Sequence, residues 1–238
     1  MTRDQVYGRR AVRELLRGRR EALELWATER AAAAEPWLRE EAAVRVQVKP
    51  ERELTDAAGT RDHQGVLAWA EPYRYADGWE LAAGERPLLV CLDQVSDPRN
   101  LGAVARSAEG AGATGIVVPA HGSATVTPAV CRSSAGAVEH LSVAVVTNLA
   151  RYLGEVKRDD LWVHAAEAGA GSTPMWDADL SGGVALVLGA EGKGLRPLVR
   201  RACDAAVSIP LRGRVESLNV SVAAALLLYE ARRQRGDG

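Results

Sequence analysis

Residues 184–195 read VALVLGAEGKGL. The first five are apolar without polar alternation, as a strand buried on both faces requires. Three glycines then fall within six residues, Gly189, Gly192 and Gly194, where the backbone can turn tightly or approach a ligand closely. Four more short apolar runs lie outward from this one, at 88–92, 116–118, 141–145 and 161–165. Helical stretches separate them, among them 103–109 and 152–158. Apolar strands alternating with helices predict an α/β fold with a mostly parallel sheet covered on both faces. The final stretch, 219–233, is apolar for more than two turns before it becomes charged. A helix of that kind must bury much of its surface against the sheet, a partner, or both.

The N-terminal third has a different texture. Helices are expected at 8–16, 35–43 and 51–58, and strands at 22–27, 44–48 and 64–70. This predicts a small, separate α/β layer. Between 71 and 86 the chain turns to Pro, Tyr, Asp and Gly without clear periodicity, which reads as a linker. The expected organisation is a first domain at 1–72, a linker at 73–86 and a second domain at 87–238.

Composition bounds the function. Of the 238 residues, 47% are hydrophobic, enough for a packed core, and the formal net charge is −1. Global charge therefore does not announce a nucleic-acid partner. The charge is uneven, however. The first twenty residues hold seven arginines, Arg3, Arg9, Arg10, Arg13, Arg17, Arg19 and Arg20, against Asp4 and Glu14. That basic end fits a local anionic contact and equally fits a solvated helix face. Cys91, Cys131 and Cys203 are odd in number and widely spaced, so no disulfide framework and no metal-ligand spacing is implied. His63, His121, His140 and His164 form no paired motif, and no metal is expected. The chain opens on charged residues without an apolar signal region, and no apolar run reaches membrane-spanning length. A reduced, cytoplasmic setting is expected.

Three loops carry candidate chemistry. Residues 97–108, DPRNLGAVARSA, follow the first strand of the second domain. Asn100 is expected to cap a helix beginning near Gly102, with Arg106 about one turn further in. The glycine loop after residue 188 places Glu191 among its glycines. A carboxylate there makes a poor phosphate cradle, and a positively charged cofactor would suit it better. Residues 208–221, SIPLRGRVESLNVS, set Ser217 and Asn219 at the entry to the long apolar helix. Each loop alone also fits an ordinary cap or tight turn. A GxGxxG pattern spans Gly110, Gly112 and Gly115, but a helix precedes it and a strand follows, the reverse of a dinucleotide fingerprint. It reads as a helix C-terminus.

Taken together, DPxNxGxxxRxA, LGxExxGL and IPLxGxxxSLNVSxAxAxxLYE resemble the three motifs of the SpoU (TrmH) family of RNA ribose 2′-O-methyltransferases. Residues 133–140 resemble the family between motifs. The first domain, with 8–14 and 63–65, looks like the family's RNA-binding substrate domain, and the pairing is most like the branch that modifies a large-subunit (23S) rRNA guanosine. The resemblance implies a SPOUT α/β catalytic domain with a deep trefoil knot, which no pattern argument would propose. It implies S-adenosylmethionine as cofactor, contacted by Leu188, Gly189, Gly194, Ile209, Leu211 and Leu218. Asn100, Arg106, Glu191, Ser217 and Asn219 would form the catalytic surround, with Arg106 a general base or a binder of phosphate and forming alkoxide. It also implies a homodimer through the last helix and the motif-one helix, an RNA partner, and no membrane. The alternatives are a tRNA ribose methyltransferase, a non-catalytic RNA-binding member of the fold, which would lack some of Asn100, Arg106, Glu191 and Asn219, and a small-molecule α/β enzyme.

Overall fold

The structure is a computed structural model that describes residues 2–236. Among the described residues, eleven strands form two sheets. They are β1 (Asp4–Tyr7), β2 (Ala22–Ala27), β3 (Val46–Val48), β4 (Val66–Ala70), β5 (Leu88–Asp93), β6 (Gly115–Pro119), β7 (Val143–Val146), β8 (Leu161–Ala166), β9 (Thr173–Pro174), β10 (Gly183–Gly189) and β11 (Ala205–Ser208). The chain divides into two compact units. One holds the residues up to Arg74 together with Val126–His140, and the other holds Tyr75–Thr125 and the residues from Leu141 onward.

The second unit is built on a seven-stranded sheet in the order β7-β6-β5-β10-β8-β11-β9. Each of its ladders is parallel, as the unbroken apolar runs require. One face packs Cys91, Val163, Ala165, Ala185 and Val187 against Tyr152, Leu153 and Val156 of the helix Leu149–Val156. On the sheet's flank the helices Pro98–Gly110 and Val220–Arg235 pack on each other, and the latter also packs on β10. From β5 the chain steps outward to β6 and β7, then crosses to β8, and β10 is inserted between β5 and β8. The strand order thus reverses at the β5–β10 pair. In open parallel sheets, ligands bind beyond the carboxyl ends of the strands at such a reversal. The GxGxxG stretch does end a helix: Gly112 adopts φ +65°, and the Gly112 and Ala113 amides donate to the carbonyls of Glu109 and Ala108.

Several boundaries differ from the sequence expectation for identifiable reasons. Residues 73–86, expected as a linker, contain the helix Gly78–Ala83. Its cap is Asp77, whose carboxylate accepts from the Trp79 and Glu80 amides, so the Asp-Gly pair starts a helix rather than a turn. The helix expected at 35–43 is only the short Trp37–Glu40, and an unanticipated helix, Glu29–Ala34, precedes it. Glu35, preceding Pro36, sits at φ −119°, ψ 88°, since a proline's ring disfavours helical backbone in the residue before it. Strand β1 was not anticipated, because DQVY shows one apolar residue between polar ones.

In the first unit β1 and β2 flank β4 in antiparallel fashion, and β3 lies parallel beside β2. Val126–His140 packs here through a buried ion pair. Arg20 donates from Nε and one terminal nitrogen to both oxygens of Glu139, at 2.9 and 2.5 Å, and the two side chains are 6% and 0% exposed. Close approach is allowed by Gly18, where a Cβ would stand 2.7 Å from the Glu139 Cβ, and by Gly136, where one would stand 2.4 Å from the Glu14 Cβ. Burial pushes the neighbouring Cys131 thiol up to about 12, so it is neutral and weakly reactive. Removing one partner of a buried ion pair strands the other charge without water. Glu139→Ala should therefore lower the unfolding free energy in urea by about 3–5 kcal/mol, with a smaller loss when Arg20 and Glu139 are replaced together by Met and Leu. A loss under about 1 kcal/mol for the single variant would show that the pair contributes little to holding this unit.

Candidate active site

Strand β5 ends on Asp93, a carboxylate with no exposed surface at the close of an otherwise apolar strand. It is opposite Gly189, the last residue of β10. Asp93 accepts from the Arg196 backbone amide at 2.8 Å and from the Arg196 guanidinium at 2.8 and 2.7 Å. A buried carboxylate needs this degree of pairing to remain charged. The pair pins the far end of the glycine loop onto β5, the strand beside the one it left. Inside the loop Gly194 donates to the Ala190 carbonyl at 2.9 Å, and Gly192 and Gly194 adopt φ +73° and +65°. A Cβ on Gly189 would meet the Gly194 carbonyl carbon at 2.2 Å and the Leu195 nitrogen at 2.6 Å. Only glycine fits that crossing.

The three motif loops all leave carboxyl ends of strands in the one parallel sheet, β5, β10 and β11, and three of their side chains meet. Asn219 donates from Nδ2 to Glu191 Oε1 at 2.5 Å and to Asn100 Oδ1 at 3.0 Å. Asn100 Nδ2 lies 3.4 Å from the same Glu191 oxygen. Asn219 also caps the last helix, its Oδ1 accepting from the Ser221 amide and hydroxyl at 2.9 and 2.6 Å. Its carboxamide thus spends its oxygen on the helix and its nitrogen on the neighbouring loops. Asn100, by contrast, is not a cap. The helix begins at Pro98, and Asp97 caps it by accepting from the Arg99 amide at 2.8 Å. That earlier start places Asn100 in the first turn and leaves its side chain for Glu191.

Beside this triangle opens a cavity of ≈ 290 Å³. Leu188, Gly189, Gly194, Ile209, Leu211 and Leu218 line it, with Glu191 and Ser217 at the polar side. Ala166 and Glu167, from the end of β8, line it as well, and Glu167 is ion-paired to Arg200. Arg106 stands apart. It is exposed on the helix Pro98–Gly110, does not line the cavity, and has no hydrogen-bond or ion-pair partner among the described residues. The structure therefore brings together Asn100, Glu191 and Asn219, sets Ser217 beside the cavity, and leaves Arg106 outside the cluster. The Asp93–Arg196 clamp was missed in the sequence. Its one signal is an aspartate closing a fully apolar strand. Among the described residues no group of three or more His, Cys, Asp or Glu could hold a metal ion, and no helix is long and apolar enough to cross a membrane.

The cavity suits a nucleoside that carries positive charge. Its walls are aliphatic and glycine backbone, the glycine at its floor admits no Cβ, and a carboxylate stands at its polar side without an arginine or lysine partner among the described residues. S-adenosylmethionine, with a nucleoside, two methylenes and a sulfonium, matches that lining.

Comparison with known proteins agrees with this placement. Residues 87–229 match the model of the SpoU rRNA Methylase family, and residues 5–76 match that of the RNA 2'-O ribose methyltransferase substrate binding domain. The 23S rRNA (guanosine-2'-O-)-methyltransferase RlmB of Pseudomonas putida is 41% identical over 246 residues, covering 98% of this chain and 97% of that protein. The protein of the same name from Xanthomonas campestris is 46% identical over 189 residues, 76% of this chain and 75% of its own. Among solved structures, the SpoU methyltransferase AviRb from Streptomyces viridochromogenes in complex with the cofactor AdoMet superposes with a TM-score of 0.82 at 27% identity, over 99% of this chain and 91% of that one. With the motif loops, the parallel sheet and the family match coinciding over one stretch, this chain belongs to the SpoU rRNA methylase family.

Proposed function

We propose that this protein transfers a methyl group from S-adenosylmethionine to the 2′-hydroxyl of a guanosine in large-subunit ribosomal RNA. The observation that carries the reading is the meeting of three motif loops, through Asn100, Glu191 and Asn219, beside one glycine-floored cavity. The relatives named for 23S rRNA guanosine supply the substrate class. The direct test is mass-spectrometric mapping of 2′-O-methyl groups on ribosomal and transfer RNA from cells with and without the protein. Loss of one guanosine mark in the large-subunit RNA is expected; loss confined to transfer RNA would replace the substrate.

Bound in the cavity, S-adenosylmethionine would supply an electrophilic methyl group on a sulfonium. Leu188, Gly189, Gly194, Ile209, Leu211 and Leu218 hold that cofactor, largely by shape, and Glu191 places negative charge toward its cationic end. Ser217 orients the acceptor ribose at the mouth, and Asn219 holds Glu191 and Asn100 in position beside it. A guanidinium is a poor base, since its pKa exceeds about 12. Arg106, exposed and unpaired, is better suited to hold the phosphate beside the reacting ribose and to stabilise the forming alkoxide. The return of Gly194 and Leu195 onto Gly189, locked by Arg196 on Asp93, is the tight crossing that a trefoil knot in this segment would need.

The last helix supports a homodimer. Val220, Ala224, Leu227, Leu228 and Ala231 are buried, while Val222, Leu226 and Tyr229, at i, i+4 and i+7, are 46%, 39% and 55% exposed. One helical stripe of large apolar side chains left on the surface fits a two-fold partner. Leu226→Glu should convert a dimer to monomer in sedimentation equilibrium. A wild-type protein that sediments as a monomer at micromolar concentration would remove the dimer.

Arg106→Ala should leave cofactor affinity by calorimetry within about two-fold and lower single-turnover methylation by about 10²-fold or more, the usual range for loss of a charge-stabilising group. Arg106→Lys should restore little, because a point charge lacks the planar fork that grips phosphate. Gly189→Val should do the opposite and weaken cofactor binding itself. Near-normal methylation by Arg106→Ala would reduce this residue to a surface arginine.

A further inference from the structure

The carboxyl ends of β5 and β6 hold a second set of polar groups, one strand away from the cofactor cavity. Gln94 directly follows Asp93 and adopts φ +59°. Outside glycine this left-handed backbone is uncommon, and such strained residues cluster at functional sites. Its carboxamide lies against Gly122, in the loop that follows β6. A Cβ there would stand 3.1 Å from the Gln94 amide nitrogen, and Gly122 itself has φ +79°. The two loops are tied together by the Ala124 amide donating to the Val95 carbonyl at 2.9 Å. Between these fixed points two polar groups are left over. The half-buried Gln94 carboxamide keeps access to solvent, and the buried Ser123 hydroxyl has no hydrogen-bond partner among the described residues. Unpaired buried polar groups are costly and call for an explanation. The Ser123 hydroxyl is such a group, and on the loop tied to it Gln94 presents an accessible carboxamide, with a donor and an acceptor side by side, from strained backbone. Exposed His121 directly precedes Gly122 in the chain.

We propose that Gln94 and Ser123 form the subsite that receives the base of the acceptor nucleotide. This rests on the methyltransferase reading above. Asp93 positions the cofactor loop and Gln94 follows it immediately, so a nucleotide whose base sits on Gln94 has its ribose close to the mouth of the cofactor cavity. A carboxamide pairs with a base edge that offers an acceptor and a donor in adjacent positions. Guanine does so with O6 and N1–H, Gln94 donating to O6 and accepting from N1–H. The missing side chain at Gly122 leaves room for the base to lie flat over the loop, and the Ser123 hydroxyl supplies one further polar partner. Gln94 is a specificity residue in this scheme; it does not touch the reacting atoms.

The test uses the whole protein and a ribosomal RNA fragment in which the nucleotide methylated by the unaltered protein is guanosine or 2-aminopurine riboside, which lacks O6 and the N1 proton. The variants are Gln94→Asn, which tolerates left-handed backbone and withdraws the carboxamide by one methylene, and Gln94→Gly, which removes it without backbone strain. Ser123→Ala is a third. All should bind S-adenosylmethionine with unchanged affinity by calorimetry, which also shows that they fold. The unaltered protein should prefer guanosine over 2-aminopurine by about 10- to 100-fold in kcat/KM, and Gln94→Asn and Gln94→Gly should lose most of that preference by slowing on guanosine alone. Ser123→Ala should slow methylation of RNA several-fold at constant cofactor affinity. If the Gln94 variants discriminate the two bases as well as the unaltered protein does, the subsite is wrong while the methyltransferase reading stands. If the unaltered protein binds no S-adenosylmethionine and methylates no RNA, the reading beneath it falls as well.

Discussion

The arrangement of the site depends on one buried carboxylate. Asp93 closes an apolar strand at the centre of a parallel sheet and has no access to solvent. Its charge can persist only if hydrogen bonds replace the lost water. Arg196 supplies them, from its backbone and its guanidinium together. Because Arg196 lies seven residues beyond Gly189 in the chain, satisfying Asp93 forces residues 190–195 into a closed loop over the end of β10. The loop then crosses Gly189 so closely that no side chain can stand there. Glu191 is carried to the rim by this closure, and there Asn219 and Asn100 meet it. The cavity, its carboxylate and the triangle of side chains thus follow from a single requirement of electrostatics in a low-dielectric place.

The same logic explains what the sequence disclosed and what it withheld. Apolar strands buried on both faces are written in local composition, so β5, β6, β8 and β10 could be placed to within about two residues. The glycines with positive φ at 59 and 112 mark helix ends by the same local rule. The contacts at the site were accessible only as a resemblance among separate loops. Nothing in residues 97–108 says that Asn100 will face Glu191, 91 positions later. Even the local prediction for Asn100 failed, because Asp97 with Pro98 behind it is the stronger helix start and leaves Asn100 free. The packing of Val126–His140 with the first 74 residues was invisible for a similar reason. It rests on Arg20 meeting Glu139 across 119 positions, and an arginine in a basic run carries no mark that it will be buried.

That basic run changes meaning in the folded chain. Arg3 pairs with Glu24, Arg9 with Glu35, Arg13 and Arg17 with Glu41, and Arg20 with Glu139. Hydrogen bonds from Arg13 and Arg17 hold the Glu41 carboxyl down at about 2, so it is fully charged at neutral pH and answers both guanidinium groups. The cluster of positive charge counted along the sequence is largely neutralised in space. A unit whose arginines are tied to its own glutamates attracts a polyanion weakly through them, since each phosphate would have to displace an internal partner. Arg10, exposed and without an ion-pair or hydrogen-bond partner among the described residues, differs in this respect from its neighbours, as do exposed Arg30, Arg39, Arg45 and Arg61. Any electrostatic grip on RNA by this unit must come from those scattered cations rather than from the helix of arginines. It follows that the salt dependence of RNA binding should reflect few phosphate contacts from the first unit. Selectivity must then rest on shape and on groups, such as those at the carboxyl edge of the large sheet, that read a base rather than a backbone.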